Sequence, residues 1–178
     1  MSTAVIARPD QSEYMSYYGK YVSLVPEGNI VETLERQLDE TLALFGRISD
    51  ADAGVGYAPG KWSIKEVLGH MIDGERVFAY RAMRFARNDS APLTGFEQDD
   101  YVNNASFNNY ALKELVSEFE HLRRSNILFF KHLDEAATMR RGVASENEVS
   151  VRALAYILAG HELHHIDILR TRYLRPTE

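Results

Sequence analysis

Near the end of the chain, the run Gly160-His161-Glu162-Leu163-His164-His165-Ile166 places two imidazoles four residues apart, at His161 and His165. On a helix this spacing sets both Cβ atoms on one face, about 6 Å apart, so two neutral ring nitrogens can converge on one cation. His161 and His164, three apart, share a face as well, and spacing alone leaves His164 and His165 both open. Two ligands rarely hold a divalent ion. Sites that do chemistry usually take three protein ligands and keep one position for water or substrate. His70 is the attractive third ligand, beside the apolar Val67 and one turn before Gly74, where a glycine leaves room near an ion. Alone, such a histidine is more often a hydrogen-bonded core residue, and it is the joint pattern that favours ligation. His121 and His132 show no comparable arrangement.

The same run satisfies His-Glu-x-x-His, the zinc-protease motif in which the Glu acts as general base. The stretch after His165 holds neither the downstream glycine and third histidine of one protease class nor a helix able to supply a Glu ligand. That weakens the protease reading. Glu162, Asp73 and Glu75 lie close enough in sequence to orient a ligand or move a proton, yet the weightier alternative for each is a surface charge or an ion-pair partner on its helix. Cysteine is absent, which excludes thiolate ligands, disulfides and a cysteine nucleophile. Any thiol chemistry needs a thiol brought by a ligand.

Four amphipathic periods must position these residues. Val31, Leu34, Leu38, Thr41, Phe45 and Ile48 recur at helical steps and predict a helix over residues 30–48. A second begins at Ser63, whose side chain and that of Glu66 form a capping box, and carries Ile64, Val67, Met71, Gly74, Phe78 and Phe85. A third carries Leu112, Leu115, Phe119, Leu122, Phe129 and Leu133, with Asn126 as a polar break. A fourth starts at Ser150 and runs through Leu154, Ile157, His161 and Ile168 toward Leu174. With no convincing alternating strand between them, these stripes bury one another most economically as a four-helix bundle, an all-α fold.

Residues 1–25, rich in tyrosine, predict an irregular arm or short helix packed on the bundle. The longest connection, about 88–109, is long enough for a crossover and contains an aromatic and acidic stretch, Gly95 to Tyr101, suited to covering one bundle end. Trp62 is expected to plug a bundle end rather than bind a ligand.

A chain of 178 residues fits one domain, and its 45% hydrophobic and 26% charged residues are those of an ordinary globular protein. The net charge of -6 opposes capture by phosphate backbones, so nucleic acid is not an expected partner. No run approaches the ~20 apolar residues of a membrane span, and the N-terminus lacks a signal-peptide core, which points to the cytoplasm.

The segment Tyr57-Ala58-Pro59-Gly60-Lys61-Trp62-Ser63-Ile64-Lys65-Glu66-Val67-Leu68-Gly69-His70, followed by Asp73, Glu75 and Arg81, resembles the signature of the DinB-like (YfiT-like) superfamily. Gly160 to Ile166, the Ser12-Glu13-Tyr14 and Tyr21-Val22 segments, and Gly95 to Tyr101 are also similar to members of that group, so the resemblance spans nearly the whole chain. It implies an up-down-down-up four-helix bundle, frequent homodimers, and a divalent metal, zinc or nickel, held by three histidines. Position by position these fall on His70, His161 and His165, which selects His165 over His164. The superfamily includes transferases acting on low-molecular-weight thiols such as bacillithiol, isomerases that use mycothiol, and members described as metal-dependent hydrolases. The expectation is therefore a metal-dependent transferase using such a thiol, acting on a small-molecule substrate, with a hydrolase or a non-catalytic metal-binding stress protein as alternatives.

Overall fold

Each apolar period of the sequence becomes a long helix in the computed structural model, which describes residues 6–174. In chain order the helices among the described residues are α1 (Gly19–Val22), α2 (Ile30–Phe45), α3 (Asp50–Ala53), α4 (Ile64–Ala86), α5 (Gln98–Ala105), α6 (Leu112–Lys131), α7 (Glu135–Met139) and α8 (Val151–Ile168), with a hairpin of β1 (Arg141–Ala144) and β2 (Asn147–Ser150) before α8. The four long helices run α2, α6, α4, α8 around the bundle, each packed against two others.

Local chemistry sets the helix starts. Asn29 caps α2 by accepting a hydrogen bond from the Val31 N–H, and Ser63 and Glu66 form the expected reciprocal box at α4. Ser150 caps α8 through the Ala153 N–H. The first turn of α6 borrows its cap: Asp50 Oδ1 accepts from the Leu112 N–H at 2.6 Å, while Asp50 Oδ2 takes the Lys65 ammonium at 2.9 Å. One carboxylate thus ties the first turns of α4 and α6 together.

The predicted stripes of α2 and α4 are buried, with Ile48 lying past the end of α2. On α6 the buried face is rotated from the expected one. Arg123, Asn126, Ile127 and Phe130 are enclosed, whereas Leu122 and Phe129 are only partly so. The hairpin departs from the all-helical expectation. Its turn residues Ser145 and Glu146 both have positive φ, 51° and 64°, a conformation usually signalled by Asn or Gly. With four-residue strands and no such signal, alternation was invisible. Gly142 is required there, because a Cβ would fall 2.2 Å from the Phe85 ring.

The long connection is held in place. Leu93 pairs with the hairpin, Arg81 donates to Thr94 O and Ser145 Oγ, and the stretch beyond forms α5. The N-terminal arm contacts α8 through α1 and the hairpin through residues 11–13, while residues 1–5 lie outside the described residues. Its buried anchor is Glu13, which accepts hydrogen bonds from Ser150 Oγ and Arg152 Nε, each at 2.7 Å.

The bundle centre holds a cluster of three charged side chains. Arg123, 0% exposed, donates to Glu75 through Nε at 2.9 Å and pairs through its terminal nitrogens with both Glu75 and Glu162. Asn126 donates to Glu75 and Thr41 to Glu162, each at 2.6 Å.

Removing Arg123 leaves two buried carboxylates without their counter-ion. Arg123→Met should therefore destabilise the fold by about 3–5 kcal/mol in denaturant unfolding, and adding Glu75→Gln and Glu162→Gln should recover part of the loss. A single variant as stable as the parent would contradict this. At the arm, burial opposes ionisation of Glu13, but hydrogen bonds from Arg152, Ser150 and the Asp10 N–H outweigh it and hold the carboxyl at about 2, below its ordinary 4.5. The stabilisation it provides is complete above about pH 4.5 and is lost as the pH falls toward 2. The protection of the arm against hydrogen exchange, taken relative to the intrinsic rate at each pH, should fall on acidification through that window, and Glu13→Gln should lower it already at neutral pH.

Candidate metal centre

His70 projects from α4 and His161 and His165 from α8, and their Nε2 atoms meet at the interface of these two helices. His161 Nε2 lies 2.9 Å from His70 Nε2 and 3.2 Å from His165 Nε2. All three side chains are buried.

The donor set fits a divalent cation better than it fits a hydrogen-bond chain. A neutral imidazole Nε2 has one in-plane position, occupied by a proton or by a lone pair, so His161 Nε2 can satisfy only one of its two neighbours by hydrogen bonding. Ligand nitrogens in a tetrahedral zinc site, each about 2.05 Å from the ion, are separated by about 3.4 Å. The two separations from His161 fall somewhat short of that, and all three nitrogens lie within 4.8 Å of one another. Burial and the neighbouring imidazoles drive the His161 pKa well below the ordinary value. Burial lowers His70 to about 4, although the Asp99 carboxylate pulls the other way, and burial lowers His165 to about 2. All three are neutral near pH 7, the form in which imidazole is a ligand.

Gly74 makes room for a ligand rather than for an ion. A Cβ there would stand 2.9 Å from His161 Cε1. Gly160 has the matching role on α8, since its Cβ would fall 2.1 Å from Tyr21 O. Its absence lets α1 approach until the Tyr21 ring lies edge-on to His161 at 5.4 Å. Phe78 contacts the same imidazole at 5.7 Å, and Trp62 lies 5.1 Å from His70. Tyr173 donates to Trp62 O, and the Trp62 ring stands next to the cluster beside His70.

His70 and His161 face a cavity of about 300 Å³, walled by arm residues Tyr17, Tyr18 and Tyr21, by Phe78 of α4, and by the stretch Phe96 to Asp99. The aromatic and acidic connection, expected to cover one bundle end, thus lines the cavity beside His70 and His161 through Phe96 to Asp99. The tyrosines of the arm predict only packing on the bundle. Their part in the cavity had no sequence signal beyond their density.

The remaining candidates lie elsewhere. His164 is half-buried against Tyr21 and His165, outside the three-nitrogen cluster. Both oxygens of Glu162 are engaged, Oε1 by Thr41 and Oε2 by Arg123, and Glu75 is held by Arg123 and Asn126. Asp73 sits 3.7 Å from Arg76, and burial raises its pKa. Arg123 was missed. Its signal was a cation four residues after Phe119 and four before Ile127, on the apolar face of α6.

The described helices include none long and apolar enough to cross a membrane. Among solved structures, the chain is similar to YfiT from Bacillus subtilis, described as a probable metal-dependent hydrolase with an unusual four-helix bundle topology, with a TM-score of 0.67, 12% identity and 92% of each chain covered. It is also 24% identical over 138 residues to a protein of Oceanobacillus iheyensis provisionally named as a metal-dependent hydrolase, across 76% of this chain and 77% of that one. The sequence model of the DinB superfamily matches residues 33–169, a span that takes in most of α2, all of α4, α6 and α8, and the three converging histidines, and the chain belongs to that superfamily.

Proposed function

We propose that the chain is a metal-dependent hydrolase in which His70, His161 and His165 hold one divalent ion, zinc or nickel, through Nε2. The observation that carries this reading is a set of three buried, neutral ring nitrogens gathered beside a walled cavity. A structural zinc site is normally closed by a fourth protein ligand, and among the described residues no further His, Asp or Glu joins the three. Such an ion supplies Lewis-acid polarisation and lowers the pKa of a water or other group placed beside it.

The chain's own residues orient and enclose. Tyr21 and Phe78 fix the plane of His161, Trp62 backs His70, and the arm together with residues 96–99 limits entry of bulk water. Among the cavity residues, the groups able to accept or donate a proton are the Glu97 and Asp99 carboxylates and the tyrosine hydroxyls. Glu162 and Glu75 serve as counter-ions of Arg123 and contribute by holding α4 and α8 in register. The two similar proteins named for metal-dependent hydrolysis support the same reaction class.

Transfer of a low-molecular-weight thiol such as bacillithiol or mycothiol is the second reading. It is favoured by the absence of cysteine, which leaves any thiol to be supplied by a ligand. A cavity of about 300 Å³ lies at the lower end of small-molecule sites. It suits one small substrate and a water better than a thiol cofactor beside a second substrate, so hydrolysis is placed first.

Elemental analysis of purified protein should find about one zinc or nickel per chain, and His161→Ala should lose it while keeping its helical circular dichroism. Equal metal content in the two proteins would refute the assignment of the ligands. Metal-loaded protein, offered small activated esters, amides and phosphoesters, should turn over at least one class without added thiol, and His161→Ala should not. Turnover only with bacillithiol or mycothiol would select the transferase, and none in either condition would overturn both catalytic readings.

A further inference from the structure

The cavity beside the histidines has walls of one chemical character. Tyr17, Tyr18, Phe78 and Phe96 present aromatic rings, Glu97 and Asp99 add two carboxylates, and among the described residues no Lys or Arg lines it. The rings form a connected set, with Tyr17 and Tyr18 centroids 5.4 Å apart and Tyr18 edge-on to Phe78 at 6.2 Å. Neither Glu97 nor Asp99 has a salt-bridge partner among the described residues, and both are exposed on the stretch that enters α5. Ring faces carry negative quadrupole potential, and a cation set against several of them and close to carboxylates is attracted by both.

One ammonium of the protein already lies against two of these rings. Lys20 Nζ lies 3.8 Å from the centroid of the Tyr17 ring and 4.8 Å from that of Tyr21. On the far side, Arg81 rests 6.0 Å from the Phe96 centroid. Rings of the aromatic wall thus already meet two of the protein's own cations, while no Lys or Arg among the described residues lines the cavity itself.

We infer that this cavity recognises an organic ammonium group, so that the small molecule taken by the site carries a protonated or quaternary amine held against the tyrosines and the Glu97 and Asp99 carboxylates. The inference rests on the proposed function in naming that molecule as the substrate. The ammonium contact itself is made by rings and carboxylates and requires no ion at the histidines. Any ion there would act on the opposite end of the molecule, so the cavity orders its occupant with the reactive group inward and the cationic group toward the mouth.

Binding is tested by calorimetry or by shifts of the tyrosine resonances, using the protein as purified and the His161→Ala protein, with metal content measured on each sample. The probes are benzyltrimethylammonium, which has no lone pair for a metal; neopentylbenzene, its uncharged isostere; and benzoate. The ammonium should bind about ten-fold more tightly than the isostere and more tightly than benzoate. The double variant Glu97→Gln, Asp99→Asn should lose most of that preference, and Lys20→Met, which removes the competing cation, should strengthen it. Equal binding of the probes, a preference for benzoate, no binding of any probe, or a preference untouched in the double variant would each overturn the inference. Ammonium selectivity that persists in His161→Ala without metal would uphold this contact whatever became of the metal assignment, and metal binding without ammonium selectivity would leave the metal reading standing alone.

Discussion

The guanidinium of Arg123 is wholly enclosed in the bundle, and it can remain charged there only because Glu75 and Glu162 lie against it. An isolated buried charge costs several kcal/mol, so the three groups are kept together by the penalty of separating them as much as by their attraction. Glu75 belongs to α4, Arg123 to α6 and Glu162 to α8, and Thr41 brings in α2 through the Glu162 carboxylate. All four long helices are thereby registered at one level. Apolar stripes alone tolerate small slides and rotations, because hydrophobic attraction has no direction. Charge-assisted hydrogen bonds do have direction, and these fix the rotation of each helix.

That constraint positions the histidines. Glu162 follows His161 directly, and adjacent helical residues point about 100° apart. With Glu162 turned to Arg123, His161 faces α4, where His70 waits five residues before Glu75. The ion triad and the imidazole cluster are therefore two faces of the same helix pair. The positive charge of Arg123 also adds to burial and to the neighbouring imidazoles in keeping His161 neutral. Acidic residues that looked like partners of the histidines thus serve them indirectly, through helix orientation.

Around this frame the chain adds walls. Gly160 lets the arm approach α8, Glu13 pins the arm to Ser150 and Arg152, and the hairpin and Arg81 hold the connection that leads into α5. Each wall is anchored at a point away from the cavity, so its inward side chains are free to meet a ligand. The enclosed histidines and the open, acidic and aromatic mouth are consequently separate zones of one site.

Much of this was legible in the residue order. Helical periodicity placed four long helices with starts at Ser63 and Ser150, since caps and apolar stripes are local properties, and the i,i+4 pair with a lone upstream histidine marked the three side chains that converge. The hairpin was not legible because its turn lacks Asn or Gly, and the face of α6 was displaced because a buried arginine reads as polar until its counter-ions are known. Spacing left His164 and His165 open, the family resemblance selected His165, and the rotation of α8, set by Glu162 meeting Arg123 from another helix, is the physical reason for that choice. The cavity required the arm, α4 and the connection at 96–99 to come together. By itself the sequence determined which helices form and which residues could serve as ligands, because those depend on neighbours a turn or two away. The tertiary structure alone decided which acids became counter-ions, how the histidines are oriented toward one another and what walls the cavity, because these depend on contacts between residues distant in sequence, 48 positions apart for Glu75 and Arg123 and 91 for His70 and His161.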